Sequence, residues 1–265
     1  LLLLFMILYR FSIIMAYVTI PRKDLKLVKQ IGSGGFSSVY KALWKSREVA
    51  AKRLNEPDRN EVEVLSQLQH PNIVNLFGVI DEECEFFLIL ELCEGGSLRS
   101  YLNQHKGQRL KAFYDWVRQA GSPIEYLNKK KIIHKDVKSS NYLITKGNVL
   151  KLADFGLAKR TGVTMTATAR ASYAFMAPEL MTEEKLSPTY DIFAFMVVVW
   201  ELWTTQIPFE DSQSDYNILY RVCMLDERLP IPPDLPKPLA NLMKQCWDKD
   251  RTKRPTMEHI LAVVS

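Results

Sequence analysis

The chain has 265 residues, 47% of them hydrophobic and 25% charged, with a formal net charge of +5. That length and composition bury a sizeable core, in one large domain or two tightly joined lobes, and exclude a disordered or fibrous chain. Lys and Arg are scattered, in clusters no larger than Lys129, Lys130 and Lys131, so the charge predicts no nucleic-acid partner.

Residues 1–20 form an apolar run interrupted by Arg10 and Ser12, close to the roughly 20 residues that cross a membrane. A membrane anchor, a signal-like segment and an artefact of the recorded start, with the true protein beginning at Met6 or Met15, all account for it. The artefact is favoured, because the chain opens without Met and a mid-span Arg10 costs about 2.5–3.5 kcal/mol. Segments 25–33, 36–43, 47–53, 74–80 and 85–90 are short, rich in β-branched and aromatic residues, and bounded by Gly, Asn, Asp or Pro, which predicts antiparallel strands. Between the third and fourth, Val62, Leu65 and Leu68 recur at helical spacing, predicting a helix over 59–69 that stops at His70 and Pro71.

After Gly95 and Gly96 the pattern turns helical, near 108–129, 188–205, 236–248 and 256–264, with a short β-ribbon near 142–152. The expected fold class is α+β: a small antiparallel β-sheet lobe with one helix over about 21–90, a linking segment 91–95, and a larger, mainly helical lobe over 96–265. Four cysteines, Cys84, Cys93, Cys223 and Cys246, form no C-x-x-C pair and no metal-ligand spacing. A reducing, cytoplasmic location fits them.

The run Gly32, Ser33, Gly34, Gly35, Phe36, Ser37, Ser38, Val39 lies between two strand patterns, where a backbone without side chains lets a phosphate come close. A plain glycine-rich hairpin is the other reading; a dinucleotide fold would need a helix to follow, and a strand follows instead. Val49, Ala50, Ala51 and Lys52 stand on the third strand, where Lys52 can pair with nucleotide phosphates if a carboxylate holds it. Glu61 is the candidate partner, because it shares a helix face with Leu65 and Leu68; Glu63, the competitor, lies about 200° away around the helix.

The run His134, Lys135, Asp136, Val137, Lys138, Ser139, Ser140, Asn141 follows apolar Ile132 and Ile133 and precedes a short strand, so it should be a loop on a rigid base. Asp136 can accept a hydroxyl proton, Lys138 can neutralise transferring phosphate, and Asn141 can hold magnesium. Asp154, followed by Phe155 and Gly156, adds the carboxylate that a phosphate-bridging magnesium ion requires. Thr161, Thr164, Thr166, Thr168, Ser172 and Tyr173 then precede Ala177, Pro178 and Glu179, and hydroxyls there suggest control by phosphorylation.

Together and in this order, these motifs resemble the protein kinase family from about Asp24 to the end of the chain. The resemblance implies ATP and Mg²⁺ as cofactors. It places the nucleotide against Ile31, the glycine run from Gly32 to Val39, Ala50, Lys52, Leu143 and the hinge residues Glu91 and Cys93, with Leu90 as gatekeeper. It further implies a spine of Leu65, Leu76, His134 and Phe155, and a Glu179–Arg254 pair. Lys138, two residues after Asp136, resembles the serine/threonine class. The EVAAKRL segment and the helix that follows look similar to mixed-lineage kinases, most of all the ZAK type, which act as MAP kinase kinase kinases. A protein substrate is implied, of MAP kinase kinase type, with dimerisation through regions outside this chain.

Departures from the family pattern are Ser37 for the third loop glycine, Lys135 for Arg, Ala171 for Gly, Pro123 inside a long helix, and Met196 for Gly. None removes a reacting group. Lys135 is expected to hold a phosphothreonine without the bidentate geometry of Arg. A nucleotide-binding pseudokinase and a membrane-anchored receptor kinase are the alternatives.

Overall fold

The computed structural model describes residues 17–34, 37–55, 59–82, 85–160, 173–181 and 187–264, and falls into two units, Leu1–Glu94 and Gly95–Ser265. The first unit carries β1 (Leu25–Gly34), β2 (Ser37–Trp44), β3 (Arg47–Leu54), α1 (Arg59–Ser66), β4 (Leu76–Glu82) and β5 (Glu85–Glu91). The strands form one antiparallel sheet in the order β1-β2-β3-β5-β4. Lys45 and Ser46 join β2 to β3 with both φ angles positive, the turn conformation whose twist matches a hairpin.

Side chains alternate across the sheet. Val49 and Ala51 of β3 point with Phe87 and Ile89 of β5 into a core that also holds Ile20, Leu25, Ala42 and Ile80. Ala50 and Lys52 therefore take the opposite face. Ile20, which the sequence groups with an N-terminal extension, is only 1% exposed. It reaches the core because residues 18–20 run along the edge strand β4: Val79 N–H donates to the Val18 carbonyl at 2.9 Å and Ile20 N–H to the Val79 carbonyl at 2.8 Å. A Cβ on Gly78 would stand 2.3 Å from the Val18 carbonyl oxygen, so only glycine permits this approach.

The second unit contains α2 (Leu98–Gln104), α3 (Phe113–Lys129), α4 (Thr189–Thr204), α5 (Asp215–Cys223), α6 (Lys237–Cys246) and α7 (Met257–Val263). Two small ribbons pair β6 (Ile132–Ile133) with β9 (Lys159–Arg160) and β7 (Tyr142–Ile144) with β8 (Leu150–Leu152). Every residue of α4 from Tyr190 to Leu202 is buried, as expected of a helix apolar all round, yet the stretch includes Asp191 and Glu201.

Met196 is fully buried within α4. The chain continues helically through buried Pro123, which withholds the N–H that the Gln119 carbonyl would otherwise accept. Two residues earlier, a Cβ on Gly121 would meet Leu261, Met257 and Phe195 at 2.9, 3.0 and 3.2 Å, so glycine lets α7 and α4 press against α3. Among the described residues no helix is long and apolar enough to cross a membrane, and Cys93, Cys223 and Cys246 form no disulfide. Residues 1–16 and Cys84 lie outside the described residues.

Candidate active site

In the first unit, cross-strand register sets Gly32 opposite Val39, Val39 opposite Lys52, and Lys52 opposite Leu88. Residues paired this way share a face, so Gly32, Val39 and Lys52 form a row beside Ala50. β1 runs through Ile31, Gly32, Ser33 and Gly34, and β2 starts with Ser37 and Ser38; Gly35 and Phe36 lie outside the described residues. Among the described residues, a Cβ at Gly32 would touch only Val39, at 3.8 Å, and one at Gly34 only Ser37 Oγ, at 3.9 Å. Strand packing among these residues does not demand glycine at either position.

Lys52 Nζ donates to both carboxylate oxygens of Glu61, each at 2.8 Å. Glu61 is 2% exposed on α1, whereas Glu63 faces solvent. Leu65 is buried on the same helix, and Leu76 opens β4. Leu90 pairs with Ala50 and Leu76, and Glu91 ends β5 opposite Val49. Glu91 N–H also donates to the Asn75 carbonyl at 2.9 Å. Cys93 follows, half-buried.

In the second unit, Lys138 Nζ lies 2.7 Å from Asp136 Oδ2, and Asn141 Nδ2 donates to the same oxygen at 2.9 Å and to the Asp136 carbonyl at 2.8 Å. With its nitrogen thus committed, Asn141 has only Oδ1 to offer a cation. The Ala153 N–H donates to the Asn141 carbonyl at 2.9 Å, tying the next residue, Asp154, to this loop. Asp154 is exposed and adopts φ 63°, a conformation unfavourable for a side chain other than glycine. Leu143 lies on β7, bridged to Ser97.

His134 organises the loop from below. Its Nδ1 accepts the Asp136 N–H at 3.2 Å, which puts the ring proton on Nε2, 3.1 Å from the Ala153 carbonyl. The ring meets Phe155 edge-on, with centroids 4.7 Å apart. The N–H groups of His134 and Lys135 donate to buried Asp191 at 2.7 and 3.0 Å. Burial pushes the Asp191 carboxyl upward, opposed by His134 and these two bonds. Lys135, at φ 68°, has its amine held below its ordinary pKa by burial and then by the charge of Lys159. Glu179 and Arg254 form a bidentate pair at 2.6 and 2.7 Å.

Asp191 has no part in the sequence-based reading of the loop, because its partners lie 56 and 57 residues away. A carboxylate inside the apolar stretch of α4 was the available signal. Thr161, Thr164, Thr166, Thr168, Ala171 and Ser172 lie outside the described residues.

Oxygen donors on Asn141 and Asp154 suit Mg²⁺, which takes one or two carboxylates and completes its shell with water and phosphate. No group of three or more His, Cys, Asp or Glu able to hold a metal occurs among the described residues.

The family model described as protein tyrosine and serine/threonine kinase matches residues 25–264. Among curated relatives, mitogen-activated protein kinase kinase kinase 10 of Mus musculus is 36% identical over 266 residues, covering 91% of this chain and 28% of its own length. Mitogen-activated protein kinase kinase kinase 12 of Rattus norvegicus is 32% identical, with 91% and 27% covered, and kinase kinase kinase 13 of Homo sapiens is 33% identical, with 91% and 25% covered. The chain thus spans between a quarter and a third of the relatives it matches.

Proposed function

Since this chain belongs to the protein tyrosine and serine/threonine kinase family, we propose that it is an ATP- and Mg²⁺-dependent protein serine/threonine kinase of the MAP kinase kinase kinase type. The observation that carries this reading is the loop constellation, in which Lys138 and Asn141 converge on one oxygen of Asp136. Asp136 Oδ1 is then the oxygen that accepts the substrate hydroxyl proton. Lys138 sits where it offsets charge on the transferred group, and Asn141 Oδ1 with the Asp154 carboxylate holds the metal. When bound, MgATP supplies the phosphoryl group and neutralises its charge.

In the first unit, Lys52, fixed by Glu61, pairs with nucleotide phosphates. Gly32 and Gly34, which packing among the described residues does not require, leave backbone open to them alongside Ile31, Ser33, Ser37 and Ser38, and the family resemblance adds Gly35 and Phe36. Val39 and Ala50 contact the base, and the backbone of Glu91 and Cys93 bonds it. The pseudokinase alternative has no missing reacting group to rest on. The spacing of Cys84, Cys93, Cys223 and Cys246, with no C-x-x-C pair and no disulfide framework, supports the reducing cytoplasm as its location.

The implied substrate is a protein hydroxyl in the activation loop of a MAP kinase kinase. Incubating the chain with MgATP and a catalytically inert MAP kinase kinase should yield phosphoserine and phosphothreonine in that loop. Phosphotyrosine as the dominant product would refute the class.

A further inference from the structure

α4 carries two fully buried carboxylates, Asp191 and Glu201. Ten residues at 1.5 Å rise set them about 15 Å apart along the helix. Asp191 takes the start of the catalytic loop through the N–H groups of His134 and Lys135. Glu201 Oε1 accepts the Ser139 hydroxyl at 2.9 Å, between Lys138 and Asn141, and Nη1 of Arg99 from α2 at 2.6 Å. Ser139 is itself 1% exposed. Arg99 also donates to the Gln206 carbonyl at 3.2 Å and to Asn103 Oδ1 at 2.8 Å.

Glu201 is not there for stability alone. Among the described residues its Oε2 and the Arg99 Nε are buried without a hydrogen-bond partner, and such atoms cost free energy that a neutral, well-packed side chain would avoid. Burial raises its carboxyl pKa to about 7 against the pull of Arg99 and Ser139. What the carboxylate gains in exchange is a grip on Ser139, flanked by the residues assigned to phosphate charge and metal.

We propose that Glu201 is a positioning residue for phosphoryl transfer, acting through Ser139 to fix the segment between Lys138 and Asn141, so that the loop is suspended from α4 at both ends. The inference rests on the kinase reading. Its competitor is a brace between α2 and α4, which would need Arg99 but not Ser139.

Amide hydrogen exchange over residues 136–141 and steady-state kinetics on the wild-type chain, Ser139→Ala and Glu201→Gln separate the two. Ser139→Ala deletes one hydroxyl. It should speed exchange at 139–141 and lower kcat about tenfold, the loss of one bond to a charged acceptor, with KM for ATP within about twofold. Glu201→Gln keeps an acceptor for Ser139 but not the charge, and should fall between wild type and Ser139→Ala in both readouts. Wild-type exchange in Ser139→Ala overturns the proposal, as does a kcat equal to wild type. Should the wild type itself transfer no phosphate, the kinase reading fails, and the exchange data still decide whether Glu201 holds the loop.

Discussion

Lys52 and Glu61 bond through both carboxylate oxygens at 2.8 Å, with Glu61 buried and Lys52 partly buried. Removing Glu61 takes both of these bonds from the amine proposed to bind phosphate, and removing Lys52 takes the amine itself. Lys52→Met and Glu61→Gln should each lower kcat about 100-fold, and the double variant should be no more than about twofold worse than Lys52→Met, since the two act as one unit. Multiplicative losses would show that they work independently. At this scale the sequence was informative where chemistry is local: Asp136, Lys138 and Asn141 lie within six residues, and the helical face separated Glu61 from Glu63. It was silent on Asp191, Glu201 and Arg99, because a buried carboxylate and its partners 56 to 102 residues away leave no spacing to read.

Elements with strong periodicity were legible, and those without it were not. The five strands and the helix of the first unit, and the long helices of the second, lie close to their expected positions. α1 stops at Ser66, short of residue 69, where Ser66 Oγ and Gln67 Nε2 both turn back to the Glu63 carbonyl. The helix expected from 108 starts at Phe113. α2 escaped notice because seven residues are too few to show a period, though its Ser97 cap, accepting from Ser100 N–H, is a recognisable start. α5 escaped because Val222 is its one buried residue, so there is no apolar stripe; Ser214 caps it in the same way.

The edge of the first sheet carries a prediction of its own. At Gly78 an added Cβ meets the Val18 carbonyl oxygen at 2.3 Å and Ile20 Cδ1 at 2.9 Å, so Gly78→Ala must push residues 18–20 off β4. Thermal denaturation should show a loss of about 1–3 kcal/mol. The same substitution in a chain lacking residues 1–20 should cost less than half as much. An equal cost in both backgrounds would place the strain elsewhere.

For the molecule as a whole, Glu201 makes stability depend on pH in a definite sense. Its carboxyl goes from 4.5 to about 7 on burial, so between those values the folded chain holds a proton that the unfolded chain has lost. Stability from this group therefore falls as pH rises through 4.5 to 7, by about 3 kcal/mol in total. Denaturant titrations should show the stability of wild type relative to Glu201→Gln falling by that amount as pH rises across the window. A pH-independent difference would mean that the carboxylate is not desolvated.

The order of motifs along the chain, from the glycine run through Lys52 and Asp136 to Asp154, makes the family legible in the sequence, whereas the means of holding the loop from His134 to Asn141 lies in tertiary contacts. Asp136 is the proposed proton acceptor in phosphoryl transfer. The most direct test of this role is Mg²⁺-dependent autophosphorylation with γ-labelled ATP, comparing the wild-type chain with Asp136→Asn at matched nucleotide affinity. Incorporation into serine and threonine by the wild type, reduced at least about 100-fold in the variant, is the predicted result; equal incorporation by the two proteins would contradict it.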